Sequence, residues 1–184
     1  QPRIGIHRGF EAGERLRAGQ AHGQGIAAAA PAVGGGDDAG IALVGDYRIF
    51  KGKKLWNWGK NEVQEVWDQK LTDEDGPYAE MMMGFYSDNQ PDYNFVAPFE
   101  TKYGDMYLYG IKGMSGIKEA NKDCAVNLEL QGQTALVQVN TTSEQKSATI
   151  VLTLKDAVIL EETVDISPAA TYQKNVEISA GTVL

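Results

Sequence analysis

Ala125-Val126-Asn127-Leu128-Glu129-Leu130, followed after a short polar turn by Ala135-Leu136-Val137-Gln138-Val139-Asn140, decides the fold class. Each hexapeptide alternates its side chains with period two, the pattern of a strand buried on one face. Ala148 to Leu154, Ala157 to Thr163 and Tyr172 to Ile178 continue it. Five short strands at near-regular spacing, separated by polar turns, predict a small antiparallel, Ig-like β-sandwich over residues 119–184.

Upstream, residues 39–118 read as a second β-rich unit. Ile41-Ala42-Leu43-Val44 and Tyr47-Arg48-Ile49-Phe50 predict two strands with a brief turn between them. Lys51 to Lys54 is a turn. Leu55-Trp56-Asn57-Trp58 alternates as a strand would, which sets both tryptophans on one face. Asn61 to Gln69 predicts a short helix, capped by Asn61, with Val63, Val66 and Trp67 on one side. Tyr78 to Tyr86 and Asp105 to Ile111 predict further strands, with turns at Leu71–Pro77 and Pro98–Thr101.

Residues 1–38 have another character. Residues 1–40 hold 10 of the 21 glycines but a single aromatic, Phe10, whereas residues 47–109 hold 14 of the 16 aromatics. With no sustained period and few groups to bury, residues 1–38 are expected to form a disordered Gly/Ala/Arg-rich tail.

Charge and cysteine content exclude several classes. The chain of 184 residues carries a formal net charge of -8, which argues against nucleic acid and against a polybasic membrane surface. No apolar run approaches the ~18 residues of a membrane span. One cysteine, Cys124, excludes an internal disulfide framework and a multi-thiolate zinc site. Asp73-x-Asp75-Gly76 departs from the calcium-loop spacing because Pro77 and a strand follow. Both histidines, His7 and His22, lie in the tail, so no nucleophilic triad is supported. No phosphate-cradling glycine motif is present. No metal and no cofactor is therefore assigned.

The remaining chemistry gathers in the aromatic segment. Trp56 and Trp58 are candidate platforms for the C–H face of a pyranose, with Asp88, Asn89 and Gln90 as the polar reach to its hydroxyls. The alternative is that the tryptophans are core and the acid-rich turns are merely solvated. Glu80 stands mid-strand among Tyr78, Ala79, Met81, Met82 and Met83. Such a carboxylate pairs with a cation, is tuned for proton transfer, or faces water from an edge strand.

The run Lys53-Lys54-Leu55-Trp56-Asn57-Trp58-Gly59, then Trp67-Asp68, then Leu71 to Glu80 and Asp88-Asn89-Gln90-Pro91-Asp92, resembles a bacterial family of uncharacterised proteins. That family has a galactose-mutarotase-like β-supersandwich, often followed by tetratricopeptide repeats. The resemblance covers about residues 39–170. A fainter similarity reaches the aldose 1-epimerases, with Glu80 in the place of their catalytic Glu, Pro91-Asp92 in the following loop and Pro98-Phe99-Glu100-Thr101 at their closing turn. By that resemblance Glu80 is the base that takes the anomeric proton. Met82 replaces the family's Gln, Phe99 replaces its turn Gly, and no histidine follows His22.

The resemblance implies a mainly β chain: a partial, closing supersandwich over 39–118, then the small sandwich over 119–184. It implies a carbohydrate-binding or carbohydrate-processing module, part of a sugar-active protein and without turnover by itself. The alternative is a non-catalytic structural or interaction β-sandwich that meets protein partners through exposed strand edges.

Overall fold

The computed structural model describes residues 2–7, 25–31, 39–57, 61–72, 78–88, 93–154 and 157–178. In chain order the elements are β1 (Pro2–His7), β2 (Gly25–Pro31), β3 (Ala39–Gly45), β4 (Gly52–Asn57), α1 (Glu62–Leu71), β5 (Ala79–Gly84) and β6 (Met106–Lys112). Then follow β7 (Glu119–Ala120), β8 (Cys124–Gln131), β9 (Thr134–Thr141), β10 (Gln145–Leu154), β11 (Ala157–Ile166) and β12 (Tyr172–Glu177). Among the described residues the strands form antiparallel sheets of order β1-β10-β11, β12-β9-β8-β7, β2-β3-β6 and β4-β5. The protein is mainly β, as its alternating pattern requires.

The first two sheets face each other across one core. Val126, Val137 and Val139 from β8 and β9 meet Ile150, Leu152 and Leu160 from β10 and β11. Val137, Val139, Ile150 and Leu152 are completely buried. Each such side chain stabilises the fold by roughly 1.5–3 kcal/mol. A smaller cluster lies behind β8, where Ala120 and Ala125 pack with Ala42, Val44, Ile111 and Met114. Sheet β12-β9-β8-β7 is therefore the middle layer, with sheet β2-β3-β6 on its far side.

The back of that middle layer is polar where the chain crosses it. Asn127 and Gln138 stand opposite each other in the β8–β9 register and are both buried. Gln138 Oε1 accepts from the Ser115 amide at 3.1 Å and from Asn127 Nδ2 at 2.9 Å, while Gln138 Nε2 donates to the Gly113 carbonyl at 3.1 Å. Nearby, Asn140 Nδ2 donates to Thr171 Oγ1 at 2.7 Å, and Thr171 Oγ1 donates to the Lys112 carbonyl. Gly113 sits at φ +65, a backbone conformation that other residues rarely adopt. These amides replace water for the backbone of 113–115 and fix where β6 hands over to the sandwich.

Besides Gly52 to Lys54, expected in a turn but part of β4, two larger expectations are corrected. Pro2–His7 and Gly25–Pro31, inside the segment expected to be a disordered tail, are strands. β1 pairs with β10 from Pro2↔Leu154 to His7↔Thr149, and β2 pairs with β3. An open strand edge offers a row of backbone partners that any extended segment can satisfy, so no side-chain period is needed. Residues 8–24 and 32–38 of the expected tail lie outside the described residues. The second correction concerns Tyr47–Phe50, which is a turn and not a strand. Asp46 makes it: its carbonyl accepts from the Ile49 and Phe50 amides, and its carboxylate accepts from the Arg48 amide at 2.9 Å. A short acidic side chain that bonds its own backbone two residues on competes with strand pairing.

Candidate functional site

β4 and β5 position the residues singled out above. Their register places Trp56 opposite Glu80 and Lys54 opposite Met82. Directly opposed residues share a sheet face, so Lys54, Trp56, Glu80 and Met82 project from one side. The other side carries Met83, which turns toward Gly45 of β3 and fills the space a Cβ would need there. Both sides are partly open: Trp56 is 37% exposed, Met82 is exposed and Glu80 is half-buried on the first, while Leu55 and Ala79 are exposed on the second.

Glu80 Oε1 accepts a 2.6 Å hydrogen bond from the Tyr78 hydroxyl, two residues back on the same face. That bond, with burial and the nearby negative charge adding to it, pushes the Tyr78 phenol above its ordinary range. The partner of Glu80 in this bond is a neutral hydroxyl, not a cation. Tyr78 is held in turn by α1, since its amide donates to Asp68 Oδ1 at 2.6 Å. Asn61 caps that helix as expected, accepting from the Val63 amide at 3.1 Å. Val63, Val66 and Trp67 of α1 are all exposed.

Asp88 is not next to Trp56 and Glu80. It lies past the other end of the β4–β5 sheet, where Lys54 Nζ donates to its carbonyl at 2.9 Å and Asn94 Nδ2 donates to its carboxylate. Gly52 permits this arrangement, because a Cβ there would fall 1.7 Å from the Tyr86 carbonyl oxygen. Asp88 lines an open cleft of about 490 Å³ together with Arg48, Lys51, Tyr86, Lys102 and Tyr103. Trp58, Asn89 and Gln90 lie outside the described residues.

The structure therefore joins Trp56 with Glu80 and leaves Asp88 in a separate cleft. Sequence reasoning missed Tyr78, whose signal was its i, i+2 spacing to Glu80 on one strand. The cleft's cations, Arg48, Lys51 and Lys102, lie apart in sequence and carry no shared motif. Among the described residues no three His, Cys, Asp or Glu side chains gather as metal ligands, and no helix is long and apolar enough to cross a membrane.

Residues 28–110 match the family model described as a domain of unknown function, DUF5107. Residues 119–183 match the model described as the second domain of a YphG-like protein. Both matches are to uncharacterised domains, and neither description names a sugar, a reaction or a partner. No solved structure matches the chain.

Proposed function

We propose that the chain is a carbohydrate-binding module whose recognition face is the side of β4 and β5 that carries Trp56 and Glu80. One observation carries the reading: Trp56 stands more than one-third exposed and directly opposite Glu80. An exposed indole is a stacking platform for a pyranose, and a carboxylate beside it accepts two vicinal hydroxyl protons. The Tyr78 hydroxyl on the same face fixes the carboxylate and adds a polar edge. Asp88 in the cleft is a further candidate contact, and Trp58, Asn89 and Gln90 stay candidates by residue type alone. The family resemblance adds a galactose-mutarotase-like ancestry for residues 39–118, with residues 119–184 as a separate supporting sandwich. The two separate family matches support that division. Glu80 is the base if the parent protein acts on sugars, and binding without turnover is what we assign to this chain. A glycan array probed with the chain and with Trp56→Ala and Glu80→Gln variants tests the reading. Glycan signals that both variants lose support it; a blank array, or signals indifferent to both changes, overturns it.

A second reading has its own observation. Ile41, Met106 and Leu108 project from the sheet face that does not pack on the middle layer, and all three are exposed. Apolar side chains grouped on an open sheet face mark a protein contact surface. Light scattering across a concentration series checks it: association weakened by Leu108→Lys favours an interaction role, and a strict monomer removes it.

A further inference from the structure

The geometry points to the cleft beside Asp88 as a site for an acidic sugar, a pyranose bearing one carboxylate. The inference rests on the carbohydrate reading and names the ligand class for its polar end. The chain carries 17 basic and 25 acidic residues. Against that balance the cleft gathers Arg48, Lys51 and Lys102, with Asp88 as its one carboxylate among the described lining residues.

The cations are not equivalent. Asp46 holds Arg48 through Nε and Nη2, at 3.1 and 2.8 Å, which aims the guanidinium. Lys102 pairs with Glu100 at 2.7 Å and lies 5.4 Å from the centre of the Tyr86 ring. Neither Asp46 nor Glu100 lines the cleft. Lys51 is exposed at its rim and has no acidic partner among the described residues. It is the charge an incoming anion meets.

Two further features select among anions. Tyr103 is largely exposed and offers a ring face, while Lys102 already covers the Tyr86 ring. Asp88 accepts hydroxyl protons but repels a second negative charge. A hydroxyl-rich monoanion meets less of that repulsion than a phosphate dianion and offers Asp88 protons to accept. The carboxylate is thus placed at Lys51 with Arg48 behind it, the ring on Tyr103, and the hydroxyls toward Asp88. The cleft volume is that of an ordinary small-ligand site, within the roughly 300–1,000 Å³ such sites span.

The experiment titrates the whole chain, followed by NMR shift changes, with galacturonate and glucuronate oligosaccharides, their neutral counterparts and glucose 6-phosphate. A charge-assisted contact gives the uronates an advantage of about tenfold over neutral sugars, removed by Lys51→Ala. Melting temperatures of the Lys51→Ala and Tyr103→Ala variants exclude misfolding, since both side chains are exposed. Equal binding of neutral and acidic sugars, or glucose 6-phosphate binding best, overturns the inference while leaving the carbohydrate reading standing. Uronate binding that needs Lys51 but not Trp56 upholds the cleft and removes the β4–β5 face. No binding of any sugar overturns both.

Discussion

Gln138→Leu is the perturbation that best probes how the two halves of the chain are joined. The leucine fits the side-chain volume but offers no hydrogen bond. Ser115 Oγ keeps Glu129, and Asn127 Nδ2 keeps Ser115 and Glu129. The Ser115 amide and the Gly113 carbonyl lose the partners that Gln138 gives them. Each orphaned group costs about 1–3 kcal/mol where water cannot replace the lost bond. Ser115 is near the surface, so water recovers part of its share, and the buried leucine offsets about 1 kcal/mol more. The expected net loss is about 2 kcal/mol, a fall of roughly 4–8 °C in melting temperature for a chain of this size. Gln131→Leu makes the same change at an exposed strand end and is expected to shift stability by less than about 0.5 kcal/mol. Thermal melts give the magnitude, and amide exchange locates it, with Ser115 losing protection first. A Gln138→Leu melt within about 1 °C of the parent, with Ser115 exchange unchanged, refutes the claim that this amide holds residues 113–115 in place.

Other expectations follow from the same physics. Phe99 is fully exposed and sits at φ +66 in the turn closed by the Glu100 amide on the Ala97 carbonyl, so Phe99→Gly should stabilise by about 1 kcal/mol in urea unfolding. Ile150→Ala empties the centre of the sandwich core and should cost about 2–5 kcal/mol by the same assay. Acid should destabilise the fold. The Arg48 side chain lowers Asp46, the Lys174 ammonium and Tyr172 hydroxyl lower Glu162, and the Ser147 amide and Lys146 lower Asp165. Depressed carboxylates bind more protons when unfolded, so their stabilisation is present above the ordinary values of 3.8 and 4.5 and is lost as pH falls below them. Burial raises Glu119 and works the other way, but it stands against five, since Glu100 and Glu129 are lowered as well. Melting temperatures taken from pH 7 to pH 3 should fall steadily below about pH 4.5, and a flat profile would contradict this.

Much of the fold was legible because its strands are buried on one face. Met106 to Ile111 alternates in the sequence and in the structure alike, with Tyr107, Tyr109 and Ile111 turned inward and Met106 and Leu108 outward. Asn61 declared the start of α1 by its capping chemistry. What was not legible had other causes. β1 and β2 are held by backbone pairing to β10 and β3, which leaves no mark on composition. Tyr47–Phe50 has the β propensity of a strand, but Asp46 binds the local backbone first. Asn127, Gln138 and Asn140 looked like the solvent side of the sandwich strands. They are buried because the chain returns across them, a long-range fact that no local window contains. Glu80 and Trp56 were both singled out from sequence, but their adjacency depends on the β4–β5 register. Asp88 was grouped with them by nearness in sequence, whereas the close approach at Gly52 carries it into the cleft.

The most direct test is a solution titration of the chain and of Trp56→Ala with the strongest ligand from the glycan array. Trp56 is partly exposed, so the variant should melt within about 2 °C of the parent. Loss of the stacking platform should weaken binding by about tenfold. Unchanged affinity in a folded Trp56→Ala variant would contradict the assignment of the β4–β5 face.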